Sequence, residues 1–134
     1  MKIVRKNTTE AANAVSLTND AELFFVMEPN ATYRVGVSVI AGTDALSLAF
    51  ACPADTVGNG TATQGGAQVS VKAATGTVAP ASGTIDATVA APCSASLILR
   101  SVTGGLFRVK TFDVNTGGAT CVAGSTIAYD AALA

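Results

Sequence analysis

The sequence predicts an all-β protein, a β-sandwich of jelly-roll type with eight or nine antiparallel strands and an N-terminal arm. Short stretches in which apolar and polar residues alternate recur about every ten residues, which is typical of sandwiches and closely related barrels. Glycine, proline or asparagine separates successive stretches, as tight turns require. Apolar residues at helical spacing do not continue beyond two turns, so no long helix is expected.

The clearest strand pattern lies between Leu17 and Ile40. In its first half Leu23, Phe25 and Met27 share one face, and in its second half a tyrosine and three valines occupy every second position from 33 to 39. The connection between the halves contains a proline and an asparagine, residues that favour turns. We therefore predict a hairpin whose apolar face packs against another sheet.

The middle of the chain alternates less clearly. Leu46, Leu48 and Phe50 predict a third strand, which ends at Pro53 because proline lacks the amide hydrogen that a ladder needs. The stretch 54–66 holds four glycines and one large apolar residue, Val57, and predicts a long surface loop available to a neighbour. Short strands are expected at 67–73 and 84–91, with a glycine- and proline-containing loop at 75–83 between them.

Two further strand pairs are expected in the last third of the chain. The stretches 95–102 and 106–114 predict a second hairpin, with two adjacent glycines in its turn. The stretches 118–122 and 125–130 predict a final pair that turns at Ala123–Gly124. Residues 15–134 are therefore expected to form a single β-sandwich domain.

Residues 1–14 are predicted to be an arm that docks on a neighbour and becomes ordered there. Three basic residues fall within six positions and flank two apolar ones, which favours contact with an acidic and apolar partner. The arm therefore supplies the predicted partner-binding residues: Lys2, Ile3, Val4, Arg5 and Lys6. A first edge strand that carries protective lysines is an equally good interpretation.

Two segments resemble small all-β structural proteins of tailed-bacteriophage virions. They cover about half of the residues, and the stretch 56–92 and the three cysteines depart from the pattern. The opening segment matches at Leu17, Asp20, Glu22, Leu23, Phe25, Asn30, Thr32, Tyr33 and Arg34, and the closing segment at Val122, Gly124, Ser125 and Tyr129.

This resemblance implies a capsid decoration or cement protein that binds the outer capsid surface as an oligomer and stabilises the head. The expected partners are the major capsid protein and the chain itself, as a homotrimer, and we expect residues 2–6 to contact the capsid because of their basic and apolar side chains. The implied location is the virion surface, after synthesis in the host cytoplasm. A tail-associated or receptor-binding accessory protein and a carbohydrate-binding module are the alternatives. The lack of tryptophan counts against a sugar site, which usually stacks its ligand on aromatic faces.

Composition agrees with a subunit of an assembly. Only 13% of the residues are charged and 49% are hydrophobic, so part of the surface is expected to be covered by other subunits. A net charge of −1 gives no general attraction to nucleic acid. The absence of a run of 18 apolar residues predicts no membrane partner, and the N-terminus lacks the apolar core of a secretory signal.

No catalytic, cofactor or metal residue is predicted, and the chain is not expected to be an enzyme. It contains no histidine, and Cys52, Cys93 and Cys121 lack the spacing of a zinc site. We expect three buried, reduced thiols; one disulfide with one free thiol is the alternative. Asp20 and Glu22 are expected to lie on a solvated strand edge.

Overall fold

The structure is a computed structural model that describes residues 1–64, 66–81 and 83–132. Gly65 and Ser82, which belong to two of the predicted loops, and the last two residues of the predicted domain lie outside the described residues. The strands are β1 (Lys2–Arg5), β2 (Glu10–Ala11), β3 (Thr18–Met27), β4 (Thr32–Val39), β5 (Ala41–Gly42), β6 (Leu46–Ala51), β7 (Val57–Gln64), β8 (Ala67–Ala74), β9 (Thr77–Ala79), β10 (Ile85–Ala87), β11 (Cys93–Arg100), β12 (Gly105–Phe112), β13 (Thr120–Cys121) and β14 (Thr126–Ala132).

Eleven strands form one antiparallel sheet in the order β1-β14-β4-β11-β7-β8-β9-β6-β12-β3, with β10 beside β6. A small sheet in the order β2-β13-β5 covers one part of it. The two end strands of the large sheet, β1 and β3, lie side by side although they are not paired, so the sheet curls into a nearly closed barrel. The prediction of an all-β, antiparallel fold is confirmed; the jelly-roll type stays a prediction.

The core lies inside this barrel and contains a cluster of aromatic rings. The ring of Phe25 stacks on Tyr129 with centroids 3.9 Å apart, and it lies 5.3 Å from the ring of Phe107. These three rings come from β3, β14 and β12, so they span both sides of the gap between the end strands. Aromatic pairs in such arrangements contribute about 0.5–1.5 kcal/mol beyond the burial of their area. Ring packing therefore holds the barrel together where the backbone ladder stops.

The predicted strands are largely present, but their predicted pairing is wrong. β3 and β4 do not pair with each other: β3 pairs with β12, and β4 pairs with β11 and β14. The predicted pairing of β11 with β12, and that of β13 with β14, is absent as well: each of these strands pairs with other strands. Alternation determines which face of a strand is buried, but it does not determine the neighbour. The short turns between these strands therefore carry the chain from one part of the barrel to another.

The long loop predicted at 54–66 is also wrong, because β7 occupies most of it. β7 pairs with β11 on one side and with β8 on the other. Between Val57 and Gln64, which begin and end it, its residues are glycine, asparagine, threonine and alanine, so the apolar signal of a buried strand is missing from the sequence. Gly58 and Gly60 allow β7 to approach the backbone of β11 so closely that a Cβ at either position would collide with it.

This close approach leads to a prediction about Gly60. Replacement by alanine would place Cβ against the carbonyl oxygen of Ser96, so we expect Gly60→Ala to reduce the free energy of unfolding by about 1–3 kcal/mol. Gly36, in β4, is the matched control, since the nearest atom to an added Cβ is the Ala128 oxygen at 3.9 Å. Gly36→Ala should be neutral or stabilising by about 0.4–1 kcal/mol. Urea unfolding of both variants measures the difference, and equal stabilities would contradict the packing of β7 on β11.

The three cysteines are unpaired, in agreement with the prediction. Cys93 and Cys121 are buried, whereas Cys52 is only partly buried, so the prediction of complete burial is wrong for that residue. Burial raises the pKa of the Cys93 thiol to about 11 and that of Cys121 to about 12. Both buried thiols therefore stay protonated and unreactive at neutral pH.

Candidate functional site

The predicted partner-binding segment forms one side of the gap between the end strands, which we call the seam. β1 is paired along its whole length with β14, from Lys2 opposite Tyr129 to Arg5 opposite Thr126. Val4 packs against the core. Residues 1–14 are therefore part of the fold and not a free arm, because the backbone of β1 completes the β14 ladder. The alternative interpretation, an edge strand, describes this segment.

Lys6 cannot contact a partner, because its side chain is buried, with only 1% of the residue exposed. Its Nζ lies 2.8 Å from Oδ2 of Asp20, 3.0 Å from Oε1 of Glu10 and 3.6 Å from Oε1 of Glu22. A lysine is buried in this way only where carboxylates compensate its charge. The prediction of Lys6 as a partner-binding residue, and of Asp20 as part of a solvated edge, is therefore wrong.

The four charged residues of this group, Lys6, Glu10, Asp20 and Glu22, form what we call the seam cluster. Burial opposes the charge of Lys6, but the contacts with Asp20 and Glu10 outweigh it and raise the pKa of Lys6. Burial likewise acts against the charge of Asp20, but Lys6 and two backbone amides outweigh it and lower the pKa of that carboxyl. Lys6 and Asp20 therefore close one end of the seam as an ionised pair.

Glu22 ties the turn after β1 to β3. Its carboxylate accepts hydrogen bonds from the backbone amides of Asn7 and Thr8, at 2.9 and 3.0 Å, and from the Thr8 hydroxyl at 2.6 Å. The Thr8 hydroxyl bond is the largest of the causes that lower the pKa of Glu22 to about 2. Because all three donors follow β1 and the acceptor lies in β3, these bonds cross the seam.

The lowered pKa predicts how stability depends on pH. Glu22 has an ordinary pKa of 4.5 when the chain is unfolded and about 2 when it is folded, so its contribution is complete above pH 4.5 and is lost as the pH falls towards 2. We expect Glu22→Gln to be less stable than the parent chain at pH 7 and to approach it at pH 2. Urea midpoints across this range provide the measurement, and a difference that is the same at every pH would show that the Glu22 charge has no role.

The outer surface of β1, β3 and β12 combines apolar and basic side chains. Val26 and Leu106 lie opposite each other on neighbouring strands, and the guanidinium of Arg108 lies 4.9 Å from the centre of the Phe24 ring. Ile3 is 58% exposed and Val26 57%. We call this surface the seam face; it consists of Ile3, Arg5, Phe24, Val26, Leu106 and Arg108.

The seam face joins two of the predicted partner-binding residues, Ile3 and Arg5, to four residues of β3 and β12. Ile3 and Arg5 point outward from β1, whereas Val4 points inward. The sequence does contain a sign that Phe24, Val26 and Leu106 belong to an interface. They are apolar residues at outward positions, where an antiparallel sheet facing water usually carries polar residues. Lys2 lies beside the seam face in a shallow groove that is also lined by Glu28 and Tyr33.

Comparison with known proteins adds no relative: no family model, no curated protein and no solved structure matches this chain. Within residues 1–64, 66–81 and 83–132, no group of three or more acidic or cysteine side chains is arranged to hold a metal ion. The same residues contain no helix with the length and apolar character needed to cross a membrane.

Proposed function

We propose that this chain is a structural protein of a bacteriophage virion, a capsid decoration or cement protein that binds the outer capsid surface as an oligomer and stabilises the head. The residues of the opening and closing segments that resemble such proteins support the proposal. Its fold would be a β-sandwich or barrel related to the jelly roll. Its partners would be the major capsid protein and further copies of itself, as a homotrimer.

The observation that carries the proposal is the seam face. Four apolar side chains from three adjacent strands are exposed there together, because only the opposite faces of these strands point into the barrel. Covering a valine, leucine, isoleucine or phenylalanine side chain completely stabilises a complex by about 1.5–3 kcal/mol before the cost of association. The seam face therefore has the composition of an interface centre, with Arg5 and Arg108 at its rim.

The charges would contribute mainly to orientation. An exposed ion pair adds only about 0–1 kcal/mol, so Lys2, Arg5 and Arg108 would select an acidic surface without providing most of the affinity. Several copies held in one oligomer would bind together, which strengthens attachment without any new contact. A homotrimer on a capsid would use this effect.

The experiment combines sedimentation of the purified chain with binding to particles that lack it. We expect a closed oligomer in solution, a trimer in the proposed form, and saturable co-sedimentation with capsids of the phage that encodes the chain. Heating should release the genome of decorated particles at a higher temperature than that of bare particles. A chain that stays monomeric and does not sediment with the particles would overturn the proposal.

A further inference from the structure

The closest ionic contact of the seam joins the two strands that the backbone ladder leaves unconnected. Lys6 directly follows β1, and Asp20 lies in the first part of β3. Both residues are almost completely buried, with 1% and 2% exposed, and Nζ lies 2.8 Å from Oδ2. A covalent bond at this point would close the barrel where hydrogen bonds between β1 and β3 are missing.

The two oxygens of Asp20 have different surroundings. Oδ1 accepts hydrogen bonds from the backbone amides of Glu22 and Leu23, at 2.8 and 3.0 Å. Oδ2 lies against the lysine nitrogen but makes no aligned hydrogen bond with any residue that the structure describes. Two amides that point at one carboxyl oxygen are the arrangement that stabilises negative charge when a nucleophile adds to the carboxyl carbon. The second oxygen is the one left free to depart.

A neighbouring carboxylate can carry the proton. Oε1 of Glu10 accepts a hydrogen bond from Nζ at 3.0 Å, and its side chain is 40% exposed, so it can exchange protons with water. Glu22 cannot serve in this way, because three hydrogen bonds hold it as a carboxylate with a pKa of about 2. Glu10 is therefore the proton carrier, and Glu22 positions the ammonium group.

We propose that Lys6 and Asp20 condense to an intramolecular amide bond that locks β1 to β3. Glu10 accepts one proton from the ammonium group and passes it to Oδ2 of Asp20, so the neutral Nζ adds to Cγ of a carboxylic acid while Oδ1 is held by its two amides. Collapse breaks the Cγ–Oδ2 bond, and the Oδ2 hydroxyl leaves as water with the second proton lost by Nζ. The Nζ–Cγ amide forms with no oxidation or reduction.

The charged state of the pair slows this reaction but does not prevent it. The surrounding carboxylates favour the ammonium ion, so the reactive neutral amine is rare. Condensation takes place once per chain, however, and is not required to be fast. Reacting groups fixed next to each other behave as though they were present at about 10⁵–10⁸ M, and burial keeps water away from the product. The bond does not depend on the proposed function.

Intact mass of the denatured chain tests the proposal. We expect the full-length protein to be lighter than its sequence by one water, and fragmentation to place the loss in a cross-linked pair of peptides that contain Lys6 and Asp20. A mass equal to that of the unmodified sequence after prolonged incubation of the folded protein would overturn the proposal. A loss of water that maps to any other residues would also overturn it.

Three variants separate the steps. Lys6→Met should have the mass of its unmodified sequence, whereas Lys2→Met, on the exposed part of β1, should still lose one water. Glu10→Gln should fold and condense at least tenfold more slowly, which corresponds to the loss of a positioned proton carrier. Condensation of Glu10→Gln at the parental rate would overturn the role of Glu10, and loss of water from Lys6→Met would overturn the bond itself.

Discussion

Replacing Ile3 and Val26 together by aspartate is expected to abolish the proposed binding to a capsid and to leave the barrel folded. Both side chains are more than half exposed on the seam face, so neither contributes much to the core. In the complex each new carboxylate would be taken out of water without a partner, at a cost of several kcal/mol. We expect the dissociation constant to rise at least about 100-fold, since 1.4 kcal/mol corresponds to a factor of ten.

The chain contains a matched control on another part of the barrel. Ile98 in β11 and Val57 in β7 are 56% and 64% exposed, and they are separated from the seam by β14 and β4. Ile98→Asp with Val57→Asp introduces the same two charges but should leave binding unchanged. Co-sedimentation with particles distinguishes the two double variants. If the control variant lost binding and the seam variant kept it, the contact would lie on the β11–β7 surface.

Deleting residues 1–10 does not test the proposed binding surface as cleanly as the sequence predicts. The sequence predicts that the domain folds without them, because regular alternation begins only near Val15. In the structure this deletion removes β1, Lys6 and Glu10 together, and it leaves β14 without its outer partner. Loss of binding by the truncated chain would therefore not separate a missing contact from a damaged fold.

Lys6→Met is expected to be the most destabilising single change in the seam cluster, by about 3–5 kcal/mol at pH 7. It leaves the buried carboxylate of Asp20 without the cation that compensates it, and it also removes the proposed amide bond. The free energy of unfolding from urea titration measures the loss. The deficit should shrink as the pH falls, because protonation of Asp20 removes the uncompensated charge.

Combining Lys6→Met with Asp20→Asn provides the control for this prediction. Asparagine keeps an oxygen for the amides of Glu22 and Leu23 but carries no charge. Replacing both members of a buried pair costs much less than removing one, so the double variant should be more stable than Lys6→Met alone. A double variant that is less stable than Lys6→Met would show that the Asp20 charge is not what destabilises the single variant.

Much of the fold could be predicted from the pattern of single strands. Strands β3, β4, β6, β8, β11 and β12 fall where alternation places them, since one face of each must leave water. Pairing could not be predicted, because the apolar face of β3 is buried equally well beside β4 or beside β12. β7 could not be predicted because close contact between its glycines and β11 replaces the burial of large side chains.

The candidate site, like the fold, could be predicted only in part from the sequence. Ile3 and Arg5 are exposed, because a terminal strand has one face towards water, and their role in partner binding stays a prediction. The charge of Lys6 predicts a surface position, but Lys6 contacts Asp20 and Glu22 of β3, which reach β1 only when the sheet closes. Its third carboxylate belongs to Glu10, four residues along the chain. A lysine followed by three acidic residues within 16 positions is common in exposed segments, so the sequence contains no signal that separates the two environments.

The central claim is the proposed attachment to a phage capsid, and the location and orientation of the chain in purified particles of that phage test it most directly. A reconstruction of the virion by electron cryomicroscopy provides both. The account predicts closed trimers on the outside of the head, with Ile3, Phe24 and Val26 against the major capsid protein. A particle that lacks the chain, or one that carries it on the tail alone, would contradict the account.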